Sequence, residues 1–227
     1  EVYLKDIVER KKIKREDILS ASLDLLCSSI GSLTNPNNIA NALNSRQKHT
    51  GENTVSANTI KAYLGYLADA YLFEECRRFD VKGKDYFDYP NKYYCVDLGL
   101  RNARIGFRQQ EMTHVMENII YNELRVRGCE VDIGIVYGTE KNKSGQLAQV
   151  ARKIDFIATR GSKKTYIQSE YALETEEKIM TENKPFGLTG DFFPKIIVRH
   201  DIRRRWYDDS GILNIGIIDF LLDDTIV

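Results

Sequence analysis

Apolar positions in the first third of the chain recur at helical spacing. Leu19, Leu23, Leu26 and Ile30 fall on one face of a segment spanning residues 17–30, and Gly31 follows as a C-cap. Asn35-Pro36 reads as an N-cap followed by proline in the first turn, opening a short helix that buries Ile39, Ala40 and Leu43. Ser56 caps a third helix with Ile60, Tyr63, Leu64, Leu67 and Tyr71 on one side and Asn58, Thr59, Lys61 and Gly65 facing outward. The period then changes. Residues 72–81 and 92–97 read as two strands, joined through the turn signal Lys82-Gly83-Lys84-Asp85.

Three helices followed by a β-hairpin is the order of a winged helix, with the third helix in the recognition position. That arrangement presents Lys61 on the helix and Arg77, Arg78, Lys82 and Lys84 on the wing as candidate phosphate contacts. Tyr86, Phe87, Tyr89, Tyr93 and Tyr94 are candidates for stacking on bases, or else strand and core material. Such a module also serves as a packing or docking element, so DNA contact is one of two readings.

The second half alternates helix and strand. Residues 111–128 form a helix with Val115, Met116, Ile119, Ile120 and Leu124 apolar and Gly128 at its end. Glu117 borders that stripe, where a charge is costly without a partner. Strands are expected at Val131–Tyr137, Arg152–Thr159, Thr165–Tyr171 and Lys195–Arg199, a polar loop at Gly138–Gln149, a helix around Glu174–Lys178, and an apolar strand or short helix at Leu213–Leu222. Strict alternation puts Lys153, Asp155 and Ile157 on one face, and Tyr166, Gln168 and Glu170 on one face of the next strand. If the turn Arg160–Lys164 pairs the two strands, Asp155 approaches Gln168, and Glu117 joins from the helix. Carboxylates and an amide oxygen are suitable Mg²⁺ ligands, and a metal so held activates water for phosphodiester cleavage. A carboxylate on one strand and Glu/Gln-x-Lys on the next is the signature of restriction-endonuclease-like enzymes of the PD-(D/E)xK type. Here the lysine position holds Glu170, which adds negative charge beside a polyanionic substrate. The set Glu117, Asp155, Gln168 and Glu170 therefore reads as vestigial, with at most weak Mg²⁺ binding by Asp155, Glu117 and Gln168. Asp155 beside Lys153 is also explained by an ion pair, and Gln168 by satisfaction of buried backbone.

Composition narrows the picture little. The 227 residues are 42% hydrophobic and 29% charged with zero formal net charge, which fits folded domains rather than disorder. Residues 1–110 carry 17 Lys/Arg against 14 Asp/Glu and the remainder 16 against 19, so neither half has a strongly basic balance. The four cysteines (Cys27, Cys76, Cys95, Cys129) make no C-x-x-C pair and the histidines (His49, His114, His200) are scattered, which argues against zinc and for a reduced, cytoplasmic protein. No apolar run approaches the roughly 20 residues of a membrane span, and no signal peptide is expected. The chain starts at Glu1 in mid-pattern, as expected for part of a longer protein.

Several segments together resemble one family. They are Tyr3-Leu4-Lys5-Asp6-Ile7-Val8-Glu9-Arg10, Thr59-Ile60-Lys61-Ala62-Tyr63-Leu64, Tyr93-Tyr94-Cys95-Val96-Asp97-Leu98-Gly99-Leu100, Met116-Glu117-Asn118-Ile119-Ile120-Tyr121-Asn122-Glu123-Leu124, Lys153-Ile154-Asp155-Phe156 and Tyr166-Ile167-Gln168. Their order and spacing resemble the C-terminal region of bacterial and archaeal AAA+-type ATP-binding proteins. The resemblance implies a P-loop ATPase, a winged helix and a restriction-endonuclease-like domain in that order. Many such relatives also lack the lysine, which implies a nuclease-like fold kept for binding. No G-x-x-x-x-G-K-[ST] occurs in this chain, so ATP is expected only in an upstream module.

The expectation is then an α+β or α/β protein. Residues 1–15 are the tail of an upstream ATPase, 16–105 a winged helix, and 106–227 a restriction-endonuclease-like domain around a central mixed sheet. Its expected function is non-catalytic recognition or regulation, binding nucleic acid or a protein partner and coupling that to the ATPase of the same chain. The rivals are a Mg²⁺-dependent DNA nuclease and a structural module docked on the ATPase. Arg199 and Arg203–Arg205 are the feature that separates them: a basic cluster near the acidic site favours a nucleic-acid path, and a distant or ion-paired one does not. Glu1–Arg10 is expected to be the least anchored segment.

Overall fold

In the computed structural model, which describes residues 2–47, 54–108, 111–141, 144–172 and 176–227, the elements follow in chain order as α1 (Val2–Lys11), α2 (Glu16–Ser28), β1 (Leu33–Thr34), α3 (Pro36–Gln47), α4 (Ala57–Asp69), β2 (Phe73–Cys76), β3 (Arg78–Asp80), β4 (Asp85–Tyr86), β5 (Asn91–Cys95), α5 (Leu98–Arg104), α6 (Met112–Val126), β6 (Glu130–Lys141), β7 (Leu147–Arg160), β8 (Lys163–Glu170), α7 (Glu176–Gly187), β9 (Lys195–Arg199), β10 (Trp206–Tyr207), β11 (Leu213–Gly216) and α8 (Ile217–Leu222). The fold is thus mixed α and β, with eight helices and one large mixed sheet among the described residues. The chain divides into two units: Glu1–Glu75 with Tyr89–Asn118, and Cys76–Asp88 with Ile119–Val227. Of the expected helix at Glu174–Lys178, residues 174 and 175 lie outside the described residues, as does His49.

Local signals place the helices of the first unit. The Asn35 side chain accepts the Asn37 N–H at 2.9 Å, and Ser56 Oγ accepts the Thr59 N–H at 3.1 Å. Gly31 adopts φ +68°, the left-handed conformation that follows a helix end. The apolar stripes converge as expected: Leu19, Leu23 and Leu26 of α2, Ile39 and Leu43 of α3, and Ile60, Leu64 and Leu67 of α4 are all buried in one core. Tyr71 departs from expectation, since it lies beyond α4, at φ +55°, and is exposed. So does α1. Ile7 is 2% exposed, Leu4 and Val8 pack on the same core, and Lys11 pairs with Asp69 at 2.7 Å. The opening segment is therefore anchored rather than loose, because its own apolar face completes the helical core. A three-stranded sheet, in the order β1-β5-β2, accompanies the helices.

The expected hairpin of residues 72–81 and 92–97 is divided between the units. β2 belongs to the three-stranded sheet with β5. β3 and β4 form their own antiparallel hairpin, and β3 pairs in parallel with β6. The turn is held by Asp80, whose side chain accepts the N–H groups of Lys82 (3.0 Å) and Gly83 (2.9 Å). The boundary therefore differs from 105/106: Cys76–Asp88 goes with the second unit, and the first runs through Asn118, inside α6.

The second unit is built on an eight-stranded sheet in the order β10-β11-β9-β8-β7-β6-β3-β4. β6, β7 and β8 are antiparallel neighbours, whereas β8, β9 and β11 run parallel. Val136, Ile154, Ile157, Tyr166 and Ile197 of the sheet pack with Phe186 of α7. The segment expected to be a loop, Gly138–Gln149, is mostly strand. Pairs from Gly138↔Val150 to Lys141↔Leu147 carry the β6–β7 ladder into it. Backbone pairing needs no apolar face, so a polar ribbon can extend where the hydrophobic pattern stops.

One irregularity bears on the site. Asp132 pairs with Ile157, but Gly134 pairs with Ile154, so β7 holds one residue more than β6 across this interval. This is a β-bulge at Asp155–Phe156. Ile154 and Ile157 consequently join the same core cluster, which uninterrupted alternation would forbid. The single face expected for Lys153, Asp155 and Ile157 is broken there. Gly134 accommodates the bulge: a Cβ on it would lie 3.0 Å from Ile154 Cβ and 3.2 Å from Ile157 Cδ1.

Candidate functional site

Asp155 and Gln168 meet where the β7–β8 ladder stops. Its final pair is Phe156↔Ile167. One step outward, side chains replace the missing ladder bonds. The Asp155 N–H donates to Gln168 Oε1 at 3.2 Å, and the Ser169 N–H donates to Asp155 Oδ2 at 3.0 Å. Gln168 Nε2 donates to Glu182 Oε2 of α7 at 3.0 Å, and Lys153 Nζ lies 2.5 Å from Asp155 Oδ1. Asp155 and Gln168 are 3% and 4% exposed. Each is thus held by its neighbours, and the pair closes a fork between two strands. Sequence reasoning brought these two residues together correctly but missed Glu182, which lies on a separate helix.

Glu170 is buried on β8, register-paired with Arg199 of β9. Arg199 makes a two-bond contact with Asp201 (2.8 and 2.7 Å) and lies over the Trp206 ring at 5.8 Å. Arg205 pairs with Asp223 at 2.7 Å. The Thr225 hydroxyl, and then this arginine, hold the Asp223 carboxyl below its ordinary range. Arg203 and Arg204 are exposed and have no carboxylate partner among the described residues. The arginine cluster is therefore split between paired and solvent-facing members.

Glu117 belongs to the first unit and has a different set of neighbours. Its Oε1 accepts from the Lys92 ammonium and from the Tyr94 hydroxyl, the latter at 2.5 Å. Both side chains of the ion pair are nearly buried, at 4% and 9% exposure. His114 Nδ1 stands 4.0 Å from Oε2. Next to it Asn118 closes a two-bond bridge to the backbone of β5, donating to Cys95 O and accepting from Cys95 N–H, both at 2.8 Å. The sequence clue that was missed is Lys92, a lone cation in a strand whose five residues are all buried. Among the described residues, no group of three or more His, Cys, Asp or Glu is placed to hold a metal ion.

The five tentative phosphate contacts are also divided. Lys61 is in the first unit, exposed on α4 with its ammonium 5.4 Å from the Tyr89 ring. Arg77, Arg78, Lys82 and Lys84 accompany the β3–β4 hairpin of the second. Arg77 stacks on Tyr86 at 4.2 Å and Arg78 on Phe87 at 4.8 Å, while Lys82 and Lys84 are exposed at the turn. Tyr93 and Tyr94 are core residues rather than stacking surfaces. The four cysteines are buried and not joined in disulfides. Burial pushes the Cys27 thiol up to about 12 and that of Cys95 to about 11, so neither supplies a thiolate at neutral pH.

Comparison with known proteins gives relatives without a stated activity. A family model described as a domain of unknown function (DUF8612) matches residues 1–111. An uncharacterized protein of Haemophilus influenzae is 32% identical over 224 residues, covering 97% of this chain and 50% of its own length. The uncharacterized protein MJ1544 of Methanocaldococcus jannaschii is 28% identical over 177 residues, covering 78% of this chain and 36% of its own. The chain thus spans half the length of the first relative and about a third of the second. The crystal structure of protein VC1899 from Vibrio cholerae aligns over 91% of this chain and 54% of its own at 13% identity, with a TM-score of 0.32. No helix among the described residues is long and apolar enough to cross a membrane.

Proposed function

We propose that this chain is a non-catalytic recognition region: a winged-helix-like first unit and a restriction-endonuclease-like second unit, working beside an AAA+-type ATPase module. The observation that carries the reading is the state of the Asp155–Gln168 fork. Asp155 Oδ1 faces Lys153, Oδ2 takes the Ser169 N–H, Gln168 Oε1 takes the Asp155 N–H, and its amide donates to Glu182. To bind a metal, this set would have to give up contacts that close the sheet. Glu170 stands where a cation would be needed. The Haemophilus relative carries about as much chain again beyond the matched part, room enough for such an ATPase.

One observation favours a Mg²⁺-dependent nuclease instead. The Lys153 ammonium at Asp155 supplies a cation beside the carboxylate from the strand that precedes the usual one. The two readings separate in one assay. Plasmid and single-stranded DNA are incubated with Mg²⁺ or Mn²⁺, and no cleavage above background is expected. Cleavage abolished by both Asp155→Ala and Lys153→Ala establishes the nuclease and overturns the recognition reading.

A further inference from the structure

Two neighbouring depressions on the second unit have Pro194, Thr225 and Ile226 in common, with volumes of about 750 and 430 Å³. One is walled by the end of β7 and the start of β8, which contribute Arg160, Lys163 and Lys164. The other is walled by β10 with Arg205 just before it, and by the start of β9 with Lys195. Aromatic rings are interleaved with these cations: Phe193 (38% exposed), Trp206 (43%) and Tyr207 (71%). Among the described residues, no Asp or Glu side chain lines either depression. The chain as a whole has no net charge, so this is a local concentration of positive charge.

The contacts of these cations leave them available. Lys164 rests over the Phe193 ring at 5.3 Å, and Lys195 donates to the carbonyls of Asp191 and Phe193, both at 3.2 Å. Lys164 also acts electrostatically on the Asp132 carboxylate. Arg205 is held by Asp223 yet remains half exposed. Arg203 and Arg204 precede it and are exposed. A polyanion suits the cations. The rings add a requirement for flat partners, which an acidic peptide does not supply and a duplex withholds in its own stack. A single strand offers both a phosphate backbone and free base faces.

We propose that Lys163 and Lys164 at the start of β8, Phe193, Arg205 and the Trp206-Tyr207 strand of the second unit form a binding surface for single-stranded nucleic acid. The bases stack on Trp206 and Tyr207, and the lysines and Arg205 neutralise phosphates. This surface deepens the recognition reading, on which it rests, by giving it a ligand class.

Trp206 is the sole tryptophan, so its emission reports on this surface directly. The whole chain is titrated with a labelled oligothymidylate at low salt, reading anisotropy and Trp206 emission together. Binding with quenched emission is expected, weakening with salt at a log–log slope of about −0.7 per phosphate neutralised. Trp206→Ala, read by anisotropy, should weaken binding by about tenfold or more, and Lys163→Glu/Lys164→Glu should weaken it further. These side chains lie at the surface, so circular dichroism should confirm that the variants fold. Absence of binding at low salt, or full affinity in both variants, overturns the proposal. So does duplex DNA or polyglutamate binding as tightly as the single strand. Cleavage of the oligonucleotide would instead overturn the non-catalytic reading and leave the binding surface standing, so the two failures are distinguishable.

Discussion

Replacing Lys92 with Met tests whether Glu117 is structural or a ligand in waiting. The substitution keeps side-chain length and removes the ammonium bonded to Glu117 Oε1, leaving a carboxylate 9% exposed with the Tyr94 hydroxyl. Breaking a buried ion pair from one side costs about 3–5 kcal/mol, because the remaining charge stays in low dielectric. With a urea dependence of roughly 2–3 kcal/mol per molar, the midpoint should fall by more than about 1 M. The compensating variant is Lys92→Met/Glu117→Gln. Its amide oxygen still accepts from Tyr94 but carries no charge, so most of the loss should be recovered, a coupling of about 2–3 kcal/mol. Far-UV circular dichroism follows the first unit, which holds α1–α5, and Trp206 fluorescence follows the second. An unchanged midpoint in Lys92→Met, or a double variant no more stable than the single, would refute the structural assignment. A stabilisation of the wild type by millimolar Mg²⁺ that Glu117→Gln abolishes would return Glu117 to the list of metal ligands.

Asn118→Ala removes the two hydrogen bonds its side chain makes with the buried Cys95 backbone and should cost about 2–5 kcal/mol in the same melts; a loss under about 1 kcal/mol would mean the bridge is dispensable. Gly134→Ala drives a methyl to 3.0 Å from Ile154 Cβ and should destabilise the second unit by about 1–3 kcal/mol, read from Trp206 emission. A neutral result would show that the bulge does not depend on glycine. Burial raises the Asp132 carboxyl above its ordinary 3.8, although the Tyr86 hydrogen bond and Arg77 pull it down. Its contribution to stability is therefore fully present below about 3.8 and lost as pH rises through the elevated folded value. Asp132→Asn should match or exceed wild-type stability at neutral pH and lose that advantage in acid; a variant that is weakest at neutral pH would reverse the sign.

What the sequence made legible were features with short-range causes. Caps at Asn35 and Ser56 and the left-handed Gly128 bounded helices, because each acts within one turn of chain, whereas α2 ends at Ser28 with Ser29 as its C-cap, two residues before Gly31. The approach of Asp155 to Gln168 followed from a short hairpin turn. The partners of Glu117 were not legible, since Lys92 and Tyr94 lie more than 20 residues away on a strand whose placement no local rule dictates. The bulge left one clue, Gly134 inside an apolar strand, but the extra residue is on the partner β7. The fate of residues 76–88 was hidden because a hairpin looks the same whichever sheet it joins.

Because the chain leaves the first unit after Glu75, returns at Tyr89 and leaves again after Asn118, no single cut yields two intact pieces. A gene segment ending near residue 105 would carry β3 and β4 away from the sheet they complete and bare the edge of β6, an invitation to intermolecular strand pairing. Recombination that exchanges modules at linkers has no seam to use here. The two units must be inherited, expressed and engineered as one cassette, and a change of specificity must come by substitution rather than by exchange of a half.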